Sequence, residues 1–204
     1  MRILDASLIT SLYFRDSLSV LQAAADDRAL INSIVHISKT IEHSLRHGGK
    51  VMFAGNGGSA GDAQHIAGEF VSRLNFDRAP LAGLALTTDT SVLTSVGNDY
   101  GYDRVFERQI LGLGKSGDVF VGISTSGKSP NILRSFEAAR RKNITTICFA
   151  GQDPRDMTPL CDILLCAPSD RTPLIQQIHI TAGHIICGLV EMAMFPSKND
   201  GTAN

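Results

Sequence analysis

The chain has 204 residues, 43% of them hydrophobic and 19% charged, which suits one folded domain with a full core and excludes a disordered or fibrous chain. Its 19 basic and 20 acidic residues leave a net charge of −1, which excludes a polyanion-coating surface, so any phosphate must be met locally by amides and hydroxyls. Cys148, Cys161, Cys166 and Cys187 form no C-x-x-C pair and sit in or beside apolar runs as reduced thiols do, no signal peptide opens the chain, and no stretch reaches the roughly 18 apolar residues of a spanning helix; a cytoplasmic protein with no membrane and no nucleic-acid partner is expected.

Residues 1–48 read as two helices. The first runs around Leu4 to Ala24. In the second, Leu30, Ile34, Ile37, Ile41 and Leu45 recur at helical spacing, with a break at Asp26-Asp27 before it and Gly48-Gly49 closing it. These apolar faces are long for so small a domain, and subunit packing is their expected use. From residue 50 strands alternate with helices. Strands are expected at Lys50–Ala54, Leu81–Leu86, Asp118–Ser124, Thr145–Ala150 and Asp162–Pro168. Helices are expected at Ser59–Leu74, Thr90–Val96, Val105–Leu113, Ser129–Arg141 and Pro173–Met194. The strands are short and apolar on both faces, as in a buried parallel sheet, so the expected fold is a doubly wound α/β layer over 49–195, with a polar tail at 196–204.

Ligands of such sheets sit beyond the carboxyl ends of the strands, and two Gly/Ser loops fall there. The first, Gly55-Asn56-Gly57-Gly58-Ser59, joins an apolar strand to a helix and offers free backbone N–H groups. It lacks the G-x-G-x-x-G spacing of a dinucleotide fingerprint. The helix behind it carries Asp62, His65, Glu69 and Arg73 at spacings of 3, 4 and 4, on one face, beside an apolar stripe of Ala63, Ile66, Ala67 and Phe70. An acid, an imidazole and a guanidinium opening onto a polar loop suit sugar-phosphate chemistry. Taken alone, Glu69 reads first as a solvated helix-face carboxylate paired with Arg73.

The second loop is Ser124-Thr125-Ser126-Gly127-Lys128-Ser129. Hydroxyls donate without charge, and a helix start adds amides with a partial positive charge, so the loop suits a phosphate, although Ser-rich segments also serve as plain helix caps. No G-x-x-x-x-G-K-[ST] signature is present. The last helix holds Gln176, His179 and His184 among apolar residues. His179 reads as structural. His184 and Gln176 with His65 and Glu69 form a nitrogen and oxygen donor set for a divalent metal such as zinc. Gln176 and His184 are separated by roughly 12 Å of helix rise, so the two reach one ion only if their side chains lean together.

In order, Gly55-Asn56-Gly57-Gly58-Ser59 with Asp62, His65 and Glu69, then Gly97-Asn98-Asp99-Tyr100, then Ser124-Thr125-Ser126-Gly127 with Ser129, then Ile175-Gln176 with His184 resemble the motifs of the bacterial phosphoheptose isomerases of the sugar-isomerase (SIS) fold. The resemblance covers residues 30 to 194. It implies a five-stranded parallel sheet flanked by helices, a flavodoxin-like three-layer sandwich with an N-terminal helical hairpin. It also implies a homotetramer with active sites shared between subunits. The reaction implied is interconversion of D-sedoheptulose 7-phosphate and D-glycero-D-manno-heptose 7-phosphate, the first step towards the heptose of lipopolysaccharide or capsule. By that resemblance Ser124, Thr125, Ser126 and Ser129 hold the phosphate. Asn56, Gly57, Gly58, Ser59, Asp62, Asn98, Asp99 and Gln176 line the sugar site, and His65, Glu69, Gln176 and His184 are zinc positions. One departure is visible: many members carry Arg before the Ile-Gln pair, where this chain has Leu174.

Aldose–ketose isomerisation needs a base for a carbon-bound proton and a group that serves the oxygens. Glu69 is assigned as the base and His184 as the group that donates to and takes from the oxygens. A carboxylate bound to zinc is a weaker base, so Glu69 is either a ligand at rest that is released by substrate, or a ligand only. A competing reading is a non-catalytic scaffold resembling the protein that associates with the replication initiator DnaA, a branch that lacks the counterparts of Glu69 and His184.

Overall fold

The computed structural model describes residues 5–196. Helix α1 (Ala6–Asp26) starts where the Asp5 carboxylate accepts the amides of Ser7 and Leu8, and α2 (Arg28–Arg46) where Asp27 accepts those of Ala29 and Leu30. Each cap satisfies amides that the first helical turn leaves unpaired, and Asp27 makes the break between the helices one residue long.

Strands β1 (Val51–Gly55), β2 (Gly83–Ala85), β3 (Val119–Ser124), β4 (Thr145–Ala150) and β5 (Ile163–Cys166) form one parallel sheet in the order β2-β1-β3-β4-β5. Side chains alternate between its faces. Phe53, Val121, Ile147 and Phe149 pack under α2, α3 (Gly58–Val71) and α7 (Thr172–Met194). Met52, Phe120 and Cys148 pack under α4 (Thr90–Tyr100), α5 (Val105–Leu113) and α6 (Pro130–Arg141). This is the expected three-layer sandwich. Strand order reverses between β1 and β3, so a crevice opens where Gly55 pairs with Ile123.

Several boundaries differ from those expected. Strand β2 has three residues instead of six, at the sheet edge. There the Cβ of any residue replacing Gly83 would lie 2.7 Å from the Cβ of Phe70. Helix α4 runs past Val96 to Tyr100 and stops at Gly101, whose φ of +90° suits glycine. Helix α3 ends at Val71, so Arg73 lies beyond it and off the stripe on which it was expected. Strand β5 covers only the middle of Asp162–Pro168. Short 3-10 helices at Tyr102–Arg104 and Arg155–Leu160 were not anticipated.

The two N-terminal helices differ. Leu30, Ile34, Ile37 and Ile41 of α2 are buried in the sheet core. In α1 only Ser17 is buried, and Leu8, Leu12, Phe14 and Leu18 are exposed, Phe14 by 67%. Helix α7 is long and apolar enough by composition to cross a membrane, yet 56% of its apolar window is buried and it carries the buried His179 and Glu191, as a core helix does. Of the polar tail expected at 196–204, all but the first residue lies outside the described residues.

Candidate active site

The first loop turns on Gly57, whose φ of +56° suits glycine. Gly58 is required for a different reason: a Cβ there would lie 2.4 Å from the side-chain amide nitrogen of Gln176. No side chain caps α3. The amides of Ser59 and Ala60 bond back to the carbonyls of Asn56 and Gly57, and Ser59 is buried under the turn. Asn56 exchanges two hydrogen bonds with Asn131 of α6, at 2.9 and 2.8 Å, and the Tyr102 hydroxyl donates to its oxygen at 3.4 Å. Sequence reasoning missed Asn131 and Tyr102. These bonds tie the first loop to the start of α6, across a cavity of about 330 Å³ that Ser129 and Asp103 also line.

In the second loop the hydroxyl of Ser124 lies 2.9 Å from that of Ser129 and 3.4 Å from that of Ser126. Ser129 stands at the N-cap of α6 but makes no cap bond, so its hydroxyl is turned into the loop and does not serve the helix. Gly127 closes the turn at φ +67°, where a Cβ would lie 2.5 Å from the Pro154 carbonyl oxygen. A polar cavity of about 460 Å³ opens beside Thr125 and Ser126, with Lys128, Arg155 and Thr172 on its walls. Leu174, where the resemblance implied an Arg, is buried and contributes no cation.

Helices α3 and α7 bring the ionisable groups together. His65 Nε2 is 2.8 Å from His184 Nε2 and 3.4 Å from Glu69 Oε1, and ligand atoms of all three residues lie within 4.8 Å of one another. Two imidazoles and a carboxylate suit zinc, and these separations approach the roughly 3.3 Å between donors of a tetrahedral ion with 2.0 Å bonds. The donor chemistry therefore fits the metal that the resemblance implies. Gln176, the fourth residue of that set, directs its amide to Gly58 at the start of α3.

Asp62 lies one turn before His65. Burial pushes its carboxyl pKa up to about 6, opposed by the charge of His65, and one of its oxygens is buried without a partner. Asn98 and Asp99 sit exposed at the end of α4, bonded to each other at 2.7 Å, on the element that leads into Tyr102. His179 is fully buried. Desolvation pulls its pKa down to about 4 against a hydrogen bond to the Ala150 carbonyl, so it is a neutral structural residue, as expected.

Arg73 is exposed beyond α3. The guanidinium that meets this helix is Arg78, buried against Glu191 at 2.9 Å. Burial alone would raise the Glu191 pKa, but the amides of Leu74 and Asn75 together with Arg78 outweigh it and hold that carboxyl below its ordinary value.

The model of the SIS domain matches residues 12–151 of this chain. A phosphoheptose isomerase of Burkholderia pseudomallei is 53% identical over 86% of this chain and 89% of its own length. The solved phosphoheptose isomerase GmhA of Neisseria gonorrhoeae superposes with a TM-score of 0.86 at 38% identity, covering 92% of this chain and 99% of that one. A phosphoheptose isomerase from Francisella tularensis does so with a TM-score of 0.89 at 32% identity, covering 93% and 100%.

Proposed function

The chain belongs to the SIS-domain family, and on that premise we propose that it is a phosphoheptose isomerase, interconverting D-sedoheptulose 7-phosphate and D-glycero-D-manno-heptose 7-phosphate in heptose biosynthesis. The observation that carries this reading is that His65 and Glu69, on the helix that the first Gly/Ser loop opens, meet His184 of α7. The scaffold alternative is not favoured, because both Glu69 and His184 are present and adjacent.

The hydroxyls of Ser124, Thr125, Ser126 and Ser129 take the phosphate without a fixed charge. Asn56, Gly57, Gly58, Ser59, Asp62, Asn98, Asp99 and Gln176 are assigned to the sugar. Glu69 removes the proton from one of the two reacting carbons and returns it to the other. His184 gives a proton to the carbonyl oxygen as the enediolate forms and takes one from the neighbouring hydroxyl. The side chain of Glu69 is only 19% exposed, which restricts the water that competes for the proton. His65, Glu69, Gln176 and His184 would hold zinc, which when bound supplies Lewis-acid polarisation of the carbonyl.

Residues 49–195 are assigned to catalysis. The exposed apolar side of α1 supports packing between subunits, and a cytoplasmic homotetramer is the assembly assigned. The test is a coupled turnover assay with sedoheptulose 7-phosphate, before and after chelation and zinc re-addition. Turnover lost and then restored is expected. Turnover indifferent to thorough chelation removes zinc from the reading, and no turnover under any condition removes the isomerase.

A further inference from the structure

Arg78 and Glu191 meet between α3 and α7 and have no role in the chemistry described above. Their side chains are 1% and 0% exposed. The Arg78 fork donates from Nη2 to the carbonyl of Glu69 at 2.7 Å, from Nη1 to the carbonyls of Phe70 at 2.8 Å and Ser72 at 3.2 Å, and from Nε to Glu191 at 2.9 Å. The carbonyls at the end of α3 are the ones a helix leaves without internal partners. Glu191 in turn accepts the amides of Leu74 at 3.0 Å and Asn75 at 2.8 Å.

A buried ion pair seldom stabilises more than an apolar pair of the same shape, so stability alone is a poor account of it. What a planar guanidinium does provide is one fixed arrangement of partners. Glu191 follows His184 by seven residues, two helical turns, so both project from the same side of α7. Arg78 holds the backbone of Glu69 itself. The pair thus ties one reacting residue to the helix that carries the other. Between them the helices approach closely: a Cβ on Gly183 would lie 2.6 Å from Ile66, and one on Gly188 3.3 Å from Asn75.

We propose that Arg78 and Glu191 are positioning residues that set the register of α3 against α7, and with it the reach between Glu69 and His184. This rests on the reading that those two residues move the protons. The phosphate grip belongs to the loop after β3, which the pair does not touch. Loss of the pair therefore slows the chemical step and leaves substrate capture unchanged.

The experiment compares Arg78→Lys and the isosteric Glu191→Gln with Ile110→Ala, a core change on the opposite face of the sheet, at a temperature where all three are folded. Small misplacements of reacting groups are costly, so kcat is expected to fall about 10- to 100-fold in Arg78→Lys, with KM unchanged within about twofold. Ile110→Ala, with a comparable loss in melting temperature, should keep its kcat. Glu191→Gln carries the same test should Arg78→Lys not fold. Unchanged kcat in the folded pair variants, or a fall no larger than that of Ile110→Ala, overturns the proposal. Glu69→Gln run in parallel separates the two readings. If it remains fully active, the proton-transfer reading has failed, and the clamp is judged on the crystal structure of Glu191→Gln, where an unmoved His65–His184 contact overturns it.

Discussion

On the face of the sheet covered by α4, α5 and α6, the interior is apolar: Phe106, Ile110, Phe120, Ile132 and Phe136 are fully buried, and Gln109 among them is neutral and answers the carbonyls of Leu86 and Val105. On the face covered by α2, α3 and α7, a similar apolar layer also holds a buried ion pair and a buried imidazole. Both layers are close-packed, but they fix different things. Packing of branched and aromatic side chains sets how far helices stand from a sheet. Hydrogen bonds to charged groups set direction as well, since they weaken steeply off axis. The Arg78–Glu191 pair lies on the face whose helices aim catalytic groups, while the buried Asp118 pairs with Lys50 just before β3, at the end of the sheet away from the site. The other face holds the sheet in shape and meets the site only at a helix end, where Asn131 at the start of α6 bonds Asn56 of the first loop.

The largest effect expected from this division is at Glu69. Replacing it with Gln removes the base and keeps the shape, so kcat should fall by about 10²–10⁴ while substrate affinity, measured by calorimetry, stays close to that of the parent. A variant with full turnover would take Glu69 out of the mechanism. Next is Ile110→Ala on the supporting face. It should lose about 2–5 kcal/mol of stability in denaturant titration, as buried Ile-to-Ala changes do, while kcat per folded molecule is retained. A fall in kcat at that position would mean that the supporting face also aims the site, and the comparison between the faces would break.

Much of this architecture was legible in the chain. Apolar runs such as Val119-Phe120-Val121 announce strands buried on both sides, and the i,i+4 spacing of His65 and Glu69 announces a shared helix face. Arg73 shows where local pattern stops being sufficient. Nothing in Val71-Ser72-Arg73-Leu74 forbids another helical turn. The helix ends because Arg78 takes its terminal carbonyls, and the partner that orients Arg78 is 113 residues away. The Asn56–Asn131 exchange is hidden in the same way, since the two amides are 75 residues apart and meet only because β1 and β3 are neighbours. The loops and the helix stripe were readable because their signals are short-range. The ion pair was not, because its signal lies in the packing of α3 on α7.

The smallest effect, at Asp62, sharpens the same comparison through pH. Its carboxyl is raised to about 6, chiefly by burial, with the charge of His65 opposing. A carboxyl whose folded pKa lies above its ordinary value favours folding when protonated. That contribution is complete below about pH 4 and is lost as pH rises through about 6. Asp62→Asn removes the ionisation, so its melting temperature should equal that of the parent near pH 4 and exceed it at pH 7. After discounting for partial exposure, the gap should be about 2–4 °C, the size of roughly 1 kcal/mol in a domain of this length. Glu191 is held in the opposite direction, so acid should weaken the parent and the variant alike as its carboxylate is protonated. A gap flat with pH would mean that the Asp62 carboxyl is not raised, and one that moves against the variant towards neutrality would mean that attraction to His65 outweighs burial. Either outcome would remove the picture of a carboxyl held ready at a cost to stability.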